Sequence, residues 1–272
     1  MDLRTLLDEL RHGLLGLLWP SSCASCGAPD RDCCADCLAR LRRAAGRARW
    51  TRTPAGVDAC VAAPYAGPPR ALLLACKHGG RTGFARQLGA LLSAPLREAM
   101  SNARGPAPPL LVTAPSSASR VRERGFRHVD LIVRAALRHE VAGSRRAARA
   151  RPILVVGALR TLRGRRSQQG LDPAERRRNA ELVAVRRRTR ALLHGREVVL
   201  IDDVVTTGAT AASACRALAA AGAQVVGVAA VCAVQRRGAE LWISREPGGN
   251  PLDLPRISPL DWSRTVPEEY GS

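Results

Sequence analysis

Residues 198–210 of this 272-residue chain read Val-Val-Leu-Ile-Asp-Asp-Val-Val-Thr-Thr-Gly-Ala-Thr, and this stretch decides the fold. Its four leading apolar residues predict a strand buried on both faces, because they do not alternate with polar ones. Two aspartates and a threonine- and glycine-rich turn follow the strand. The alanine-rich residues 209–221 then predict a helix that ends at Gly222. The stretch therefore predicts a strand, a loop and a helix in direct succession.

The loop in this stretch has the composition of a phosphate site. Its small residues let backbone N–H groups approach a phosphate, and the start of the following helix attracts negative charge. The carboxylates of Asp202 and Asp203 fit such a site only if they face hydroxyl donors or a cation, as ribose and Mg²⁺ would supply. The alternative is an ordinary turn with a helix cap. The residues expected at the phosphate are Thr206, Thr207, Gly208, Ala209 and Thr210.

Further strands and helices are predicted on both sides of this stretch. Apolar runs at residues 57–63, 110–114, 153–159, 198–201 and 225–234 predict strands. Residues 70–75, 84–100, 129–139 and 209–221 have helical patterns. Strands that alternate with helices predict an α/β fold, with a parallel sheet flanked by helices and ligands bound at the carboxyl ends of the strands.

Two Cys-x-x-Cys pairs near the N-terminus predict a metal site. Cys23 with Cys26 and Cys34 with Cys37 offer four thiolates, which suit one structural zinc ion with no open position for catalysis. A disulfide or a redox pair is the alternative, and Cys33 leaves the register ambiguous. The other cysteines stand singly in apolar surroundings and are expected to be buried core residues: Cys60, Cys76, Cys215 and Cys232.

The formal charge of +20 suits a polyanionic partner such as nucleic acid. Residues 120–190 hold 21 arginines against six acidic residues, which is equally compatible with a solvated basic face. Phe126 is the only aromatic residue there, which argues against stacking on bases. Lys77 is the only lysine of the chain. Its compact charge could contact pyrophosphate, although chance survival at a surface explains it equally well.

Two basic segments follow predicted strands. After residues 110–114 come several serines and then Arg120 and Arg124, whose guanidinium groups match the oxygens of a pyrophosphate. Residues 160–179 follow the predicted strand 153–159, and we expect a long loop there that closes over a substrate.

These motifs together resemble the ComF family (competence protein F), which joins an N-terminal zinc ribbon to a type I phosphoribosyltransferase fold. Residues 198–210 match that fold's motif for phosphoribosyl pyrophosphate (PRPP). The resemblance also rests on Cys76-Lys77-His78, on Arg124-Gly125-Phe126 and on residues 168–179. Arg127-His128 stands where the family has Asn-Gln. The resemblance implies that Asp202 and Asp203 hold the ribose 2- and 3-hydroxyls, that residues 206–210 cradle the 5-phosphate, and that Mg²⁺ accompanies PRPP.

The predicted organisation has three parts. Residues 1–50 are expected to form an amphipathic leucine-rich helix and the zinc ribbon, residues 55–235 the phosphoribosyltransferase-like domain, and residues 236–272 an irregular tail. We expect a cytoplasmic protein without a membrane span or secretory signal.

The expected reaction is phosphoribosyl transfer from PRPP to an unidentified acceptor, with Asp202, Asp203, Lys77 and Arg124 at the reacting groups. The alternatives are an accessory protein of DNA uptake that binds single-stranded DNA or uptake proteins, and a sensor of PRPP or a nucleotide.

Overall fold

The computed structural model describes residues 22–29, 31–116, 118–143, 153–162 and 183–234. The helices are α1 (Ala35–Ala44), α2 (Gly67–His78), α3 (Ala85–Met100), α4 (Ala118–Arg124), α5 (His128–Gly143), α6 (Arg190–Leu193) and α7 (Ala209–Ala219). The strands are β1 (Arg49–Arg52), β2 (Asp58–Pro64), β3 (Leu110–Thr113), β4 (Val155–Val156), β5 (Leu159–Thr161), β6 (Val183–Val185), β7 (Glu197–Val205) and β8 (Gln224–Ala233). The predicted N-terminal leucine-rich helix, residues 163–179 of the predicted long loop and the tail lie outside the described residues. Arg160 and Thr161, at the start of that loop, belong to β5 instead.

Six of the described strands form one sheet in the order β1-β2-β8-β7-β3-β4. The five strands from β2 to β4 are parallel, and β1 pairs antiparallel with β2 at the edge. A separate antiparallel pair is formed by β5 and β6. The predicted α/β fold with a mostly parallel sheet is confirmed, and β1 adds an antiparallel edge strand that the sequence pattern did not predict.

The central strand β7 is buried on both faces, as its unbroken apolar run predicted. Val199 and Ile201 pack on one face against helices α2, α3 and α5. Val198 and Leu200 pack on the other face against α7 and the β5–β6 hairpin. Successive strand residues point to opposite faces, so both layers of the core meet at β7. The four single cysteines are buried, as expected.

The prediction of one strand over residues 153–159 is wrong. Val155 and Val156 pair with β3 in the main sheet, whereas Leu159 pairs with Val185 in the hairpin. Gly157 and Ala158 make the turn between the two sheets. An apolar run does not show that its two ends pair with different partners, because both ends are buried in either case.

Strand β7 is longer than predicted. It continues through Asp202 and Asp203 to Val205, because β8 remains paired beside it as far as Ala233. The predicted helix at 209–221 ends at Ala219, two residues early. None of the helices in the described ranges is long and apolar enough to cross a membrane.

Candidate functional site

The site lies where the strand order reverses. From β3 the chain goes to β4 on one side and then to β7 on the other. Between strands that lead in opposite directions, the connections diverge and leave a crevice beyond the carboxyl ends. The Ala114 N–H donates to the Ile201 carbonyl at 2.7 Å, one residue beyond Thr113, the last residue of β3 that pairs with β7. The crevice therefore opens between Pro115 and Asp202.

The Asp203 carboxylate accepts hydrogen bonds from two side chains of other elements, Lys77 and His128. Its Oδ2 lies 2.8 Å from Lys77 Nζ, at the end of α2, and 2.9 Å from His128 Nε2, at the start of α5. Both Asp203 and His128 are buried. Three segments that are distant in sequence thus meet at one carboxylate oxygen beside the crevice.

His128 links Asp203 to Arg124. The Arg124 guanidinium lies 3.0 Å from His128 Nδ1, and a guanidinium can only donate, so Nδ1 accepts. Nε2 then carries the ring hydrogen and donates it to Asp203. The two hydrogen bonds fix the orientation of the imidazole and hold the Arg124 guanidinium beside the crevice. No role was predicted for His128 from the sequence, although its position two residues after Phe126 was the available signal.

The pKa values of the two neighbouring aspartates are shifted in opposite directions. Burial raises the pKa of the Asp203 carboxyl, but the hydrogen bond from His128 and the charge of Lys77 outweigh burial and hold that pKa well below its usual range. Burial and the negative charge of Asp203 raise the pKa of Asp202 well above its usual range. Asp203 is therefore the carboxylate that stays ionised. Asp202 is the carboxyl group whose protonation a bound ligand can change.

Positive charge gathers on the α2 and α4 side of the crevice. His78 has its pKa lowered by burial and by the nearby charges of Lys77, Arg124 and Arg120. Arg120 is exposed on α4. Arg124, the last residue of α4 and the first of the Arg124-Gly125-Phe126 segment, is half-buried. The structure thus brings together Lys77, Arg120 and Arg124, the three basic residues that the sequence analysis selected.

Residues 206–208 connect β7 to the 11-residue helix α7, and the predicted phosphate loop 206–210 also includes the first two residues of that helix. Gly208 caps that helix in the left-handed conformation, with φ of 80°. Thr206 and Thr207 are exposed, while Ala209 and Thr210 are half-buried. The loop therefore presents hydroxyl groups and the amino end of α7 to the same carboxyl edge of the sheet that carries Asp202.

The hairpin between β1 and β2 braces this loop from behind. The Ala55 N–H donates to the Thr207 carbonyl at 2.9 Å. A Cβ on Gly208 would come within 2.6 Å of the Thr53 Cβ, so the loop backbone lies directly on the buried Thr53 side chain. Thr53 Oγ1 in turn accepts the Val57 N–H at 3.0 Å. Thr53 and Ala55 could not be predicted from the sequence, because no local pattern relates them to a loop about 150 residues away.

The four predicted cysteine ligands lie together. The Sγ atoms of Cys23, Cys26, Cys34 and Cys37 are all within 4.8 Å of one another. Four thiolates about 2.3 Å from a tetrahedral zinc ion have sulfur atoms nearly 4 Å apart, so the cluster fits this metal. The ambiguity over Cys33 is resolved in favour of Cys34, whose Sγ is 3.5 Å from Cys26 Sγ. Cys33 instead packs against the apolar core.

The cysteine cluster is attached to the crevice side of the sheet. Arg81 follows α2 and forms an ion pair with Asp32, and it also donates to the Ser22 carbonyl at 3.4 Å. Its guanidinium stacks over the Phe84 ring at 4.9 Å from the ring centroid. The turn that follows α2 is thus held by Asp32, which lies between the two cysteine pairs, and by Ser22, which directly precedes the first pair.

Comparison with known proteins agrees with this geometry. Residues 143–243 match the family model described as the phosphoribosyl transferase domain. The matched region contains β7, residues 206–208 and α7, so the comparison supports a phosphoribosyltransferase-type domain in this part of the chain. The four-cysteine cluster, at residues 23–37, lies outside that match. Its four thiols could bind a metal ion such as zinc. No curated protein matches the chain.

Proposed function

We propose that the chain binds PRPP with Mg²⁺ in the crevice between β3 and β7 and transfers its phosphoribosyl group to an acceptor. The observation that carries the proposal is the convergence at that crevice of a carboxylate, Asp202, with the loop at the start of α7. A carboxylate beside a phosphate is unfavourable unless ribose hydroxyls or a cation lie between them. PRPP with its metal supplies both.

The loop 206–210 would hold the 5-phosphate of PRPP. The amino end of α7 has backbone N–H groups without partners in the helix, and the helix dipole favours negative charge there. The threonine hydroxyls add donors, and Gly208 allows the backbone to approach the phosphate closely. The bracing hairpin holds this backbone in place, so the loop needs little reorganisation when the ligand binds.

Asp202 would accept hydrogen bonds from the ribose hydroxyls. Asp203 is engaged by Lys77 and His128, so its remaining oxygen and its fixed charge would contribute beside Asp202. A magnesium ion fits this place because the available ligands are hard carboxylate oxygens, and when bound with PRPP it would spread the charge of the pyrophosphate. The protein itself orients the sugar through Asp202.

The basic side of the crevice would bind the leaving pyrophosphate. In the transfer, the bond between the anomeric carbon and pyrophosphate breaks, and a bond from the acceptor to that carbon forms. Positive charge develops at the sugar ring and negative charge on the pyrophosphate. Lys77, Arg120 and Arg124 would stabilise that negative charge, and the aspartates would orient and stabilise the ring. No described residue is assigned as the base that removes a proton from the acceptor.

We further propose that the chain is ComF-like, with the cysteine cluster as its structural zinc ribbon. The support is the attachment of a four-cysteine site to a phosphoribosyltransferase domain, together with the position of Arg124-Gly125-Phe126 between β3 and α5. With all four positions filled by protein ligands, the metal would stabilise the fold and leave no site for substrate.

Calorimetric titration with PRPP and Mg²⁺ tests the proposal. The zinc-loaded protein should bind, and Asp202→Asn should weaken binding by about tenfold or more, which corresponds to about 1.4 kcal/mol. Glu197→Gln is the matched control, because Glu197 lies at the opposite end of the same strand and accepts the Arg104 and Gly105 N–H groups. Binding that is absent, or equally strong in Asp202→Asn and wild type, contradicts the proposal.

A further inference from the structure

The β5–β6 hairpin has one buried face and one basic face. Leu159, Val183 and Val185 are buried against the core. Side chains alternate along extended backbone, and Arg186, directly after β6, is extended, so Arg160 and Arg186 share the opposite face. Leu159 pairs with Val185 and Arg160 with Ala184, which makes Arg160 and Arg186 diagonal neighbours about 7–8 Å apart at the backbone.

Two contacts place this basic face at the turn after β4. The Arg186 N–H donates to the Ala158 carbonyl at 2.7 Å. The Arg127 Nη1 lies 3.7 Å from the position that a Cβ would take on Gly157. Arg127, Arg160 and Arg186 therefore surround the turn formed by Gly157 and Ala158. We refer to these residues, with the adjacent Arg188, as the arginine cluster.

The arginine cluster is not neutralised within the described part of the chain. Every ion pair found there joins other residues. The Arg186 Nε is buried and has no hydrogen-bond partner among the described atoms. Burial and the positive charges of Arg127, Arg188 and Arg160 lower the pKa of Arg186. Guanidinium groups held close together without a counter-charge repel one another, and an anion placed among them would relieve that repulsion.

The arginine cluster also lies at the same edge of the sheet as the PRPP crevice. Gly157 directly follows β4, and β4 pairs in parallel with β3, whose carboxyl end forms one wall of the crevice. Neighbouring strands are about 4.8 Å apart, so the cluster begins one strand away from that wall. A small molecule that contacts the cluster can reach the crevice.

We propose that the arginine cluster binds an anionic group, a carboxylate or phosphate, of the small acceptor that receives the phosphoribosyl group. This assignment rests on the proposed function. The planar guanidinium fork matches both kinds of anion, and it pairs with them in two parallel hydrogen bonds. The acceptor is thus an anionic small molecule rather than a neutral one, and its charge orients the nucleophilic atom toward the anomeric carbon.

Calorimetric titration with inorganic phosphate tests the arginine cluster directly. At constant ionic strength set with chloride, wild type should show a phosphate site that Arg186→Gln or Arg127→Gln weakens by about tenfold. Arg42→Gln, an exposed arginine on α1, is the matched control and should leave the site unchanged. Equal phosphate binding by Arg186→Gln and wild type overturns the proposal. Malonate in place of phosphate distinguishes a carboxylate acceptor from a phosphorylated one.

Two further titrations separate this inference from its rivals. Arg186→Gln should bind PRPP with Mg²⁺ as wild type does; if neither binds, the proposed function fails while an Arg186-dependent anion site stands. A single-stranded oligothymidine is the second probe. If it binds through Arg186 far more tightly than phosphate, and its affinity falls steeply with salt, the partner is nucleic acid and the small-acceptor assignment is overturned.

Discussion

Lys77 Nζ lies 2.8 Å from Asp203 Oδ2 and joins residues 126 positions apart in the chain. The same oxygen accepts a hydrogen bond from His128. The only lysine of the chain is thus fixed beside the crevice by a buried carboxylate. Its flexible ammonium reaches a single oxygen that the imidazole also contacts, which a planar guanidinium would do less readily.

Replacing Asp203 by asparagine should destabilise the fold. The substitution leaves Lys77 and the buried His128 without their anionic partner, and breaking one member of a buried charged pair costs about 3 kcal/mol. Asp202→Asn should cost much less, because the pKa of Asp202 is already raised and a neutral amide removes the repulsion from Asp203. Denaturant unfolding of both variants measures the difference. Equal losses would show that the contacts of Asp203 contribute little.

The stability of the protein should fall in acid through Asp203. Its pKa in the folded state is below the usual range, so the unfolded chain binds a proton more readily. The stabilisation is complete above about pH 4, the ordinary range of an aspartate, and is lost progressively as the pH falls below it. Unfolding measured against pH should show a shallower acid limb in Asp203→Asn than in wild type. An identical limb in both would contradict the assignment.

Binding of PRPP should strengthen with rising pH through Asp202. The raised pKa keeps this carboxyl protonated to a higher pH than an ordinary aspartate, and the ionised form accepts stronger hydrogen bonds from ribose hydroxyls than the protonated form does. Affinity should therefore rise as Asp202 loses its proton, and then level off. Calorimetry at several pH values measures the slope, and Asp202→Asn should remove this contribution. A slope that persists in the variant would point to another group.

Gly208→Ala should disrupt the phosphate loop. The residue has a left-handed backbone, which costs a residue with a side chain about 1 kcal/mol, and the new methyl group would overlap Thr53. Binding of PRPP should weaken by about tenfold or more. Gly195→Ala is the matched control, since Gly195 has φ of 69° but open space around it. If the two variants bind PRPP equally, the contact with Thr53 does not shape the loop.

Two adjacent cysteines should differ in their effect on zinc. Cys34→Ser removes one of the four clustered thiolates, so metal content should fall from about one zinc per chain toward zero, with a loss of thermal stability. Cys33→Ser leaves the four thiolates intact and should retain the metal. Elemental analysis and thermal unfolding provide the measurements. Loss of zinc from Cys33→Ser with retention in Cys34→Ser would reverse the ligand assignment.

Local patterns predicted most of the strands and helices, and the loop that follows β7. Residues 198–210 contain a buried strand and a turn whose chemistry is carried by neighbouring residues, so a single stretch was sufficient. The two Cys-x-x-Cys pairs were equally local, and their Sγ atoms do converge. In both cases the residues that act together are close in sequence.

Contacts between distant segments could not be predicted in this way. Thr53 braces Gly208 because the turn between β1 and β2 reaches the loop after β7, and His128 contacts Asp203 because α5 packs on the face of the sheet that contains β7. The split of residues 153–159 between two sheets has the same cause. Apolar periodicity reports whether a segment is buried, but not which partner buries it.

The position of β2 in the sheet affects the synthesis of the protein. On one side β2 pairs with its chain neighbour β1, but its parallel partner on the other side is β8. At 5–20 residues per second, a ribosome needs roughly 8 to 30 s to add the residues between these strands. During that interval the nascent chain holds an apolar strand with an unpaired edge. Aggregation of this protein should therefore depend on translation speed and on chaperones that cover β2 until β8 emerges.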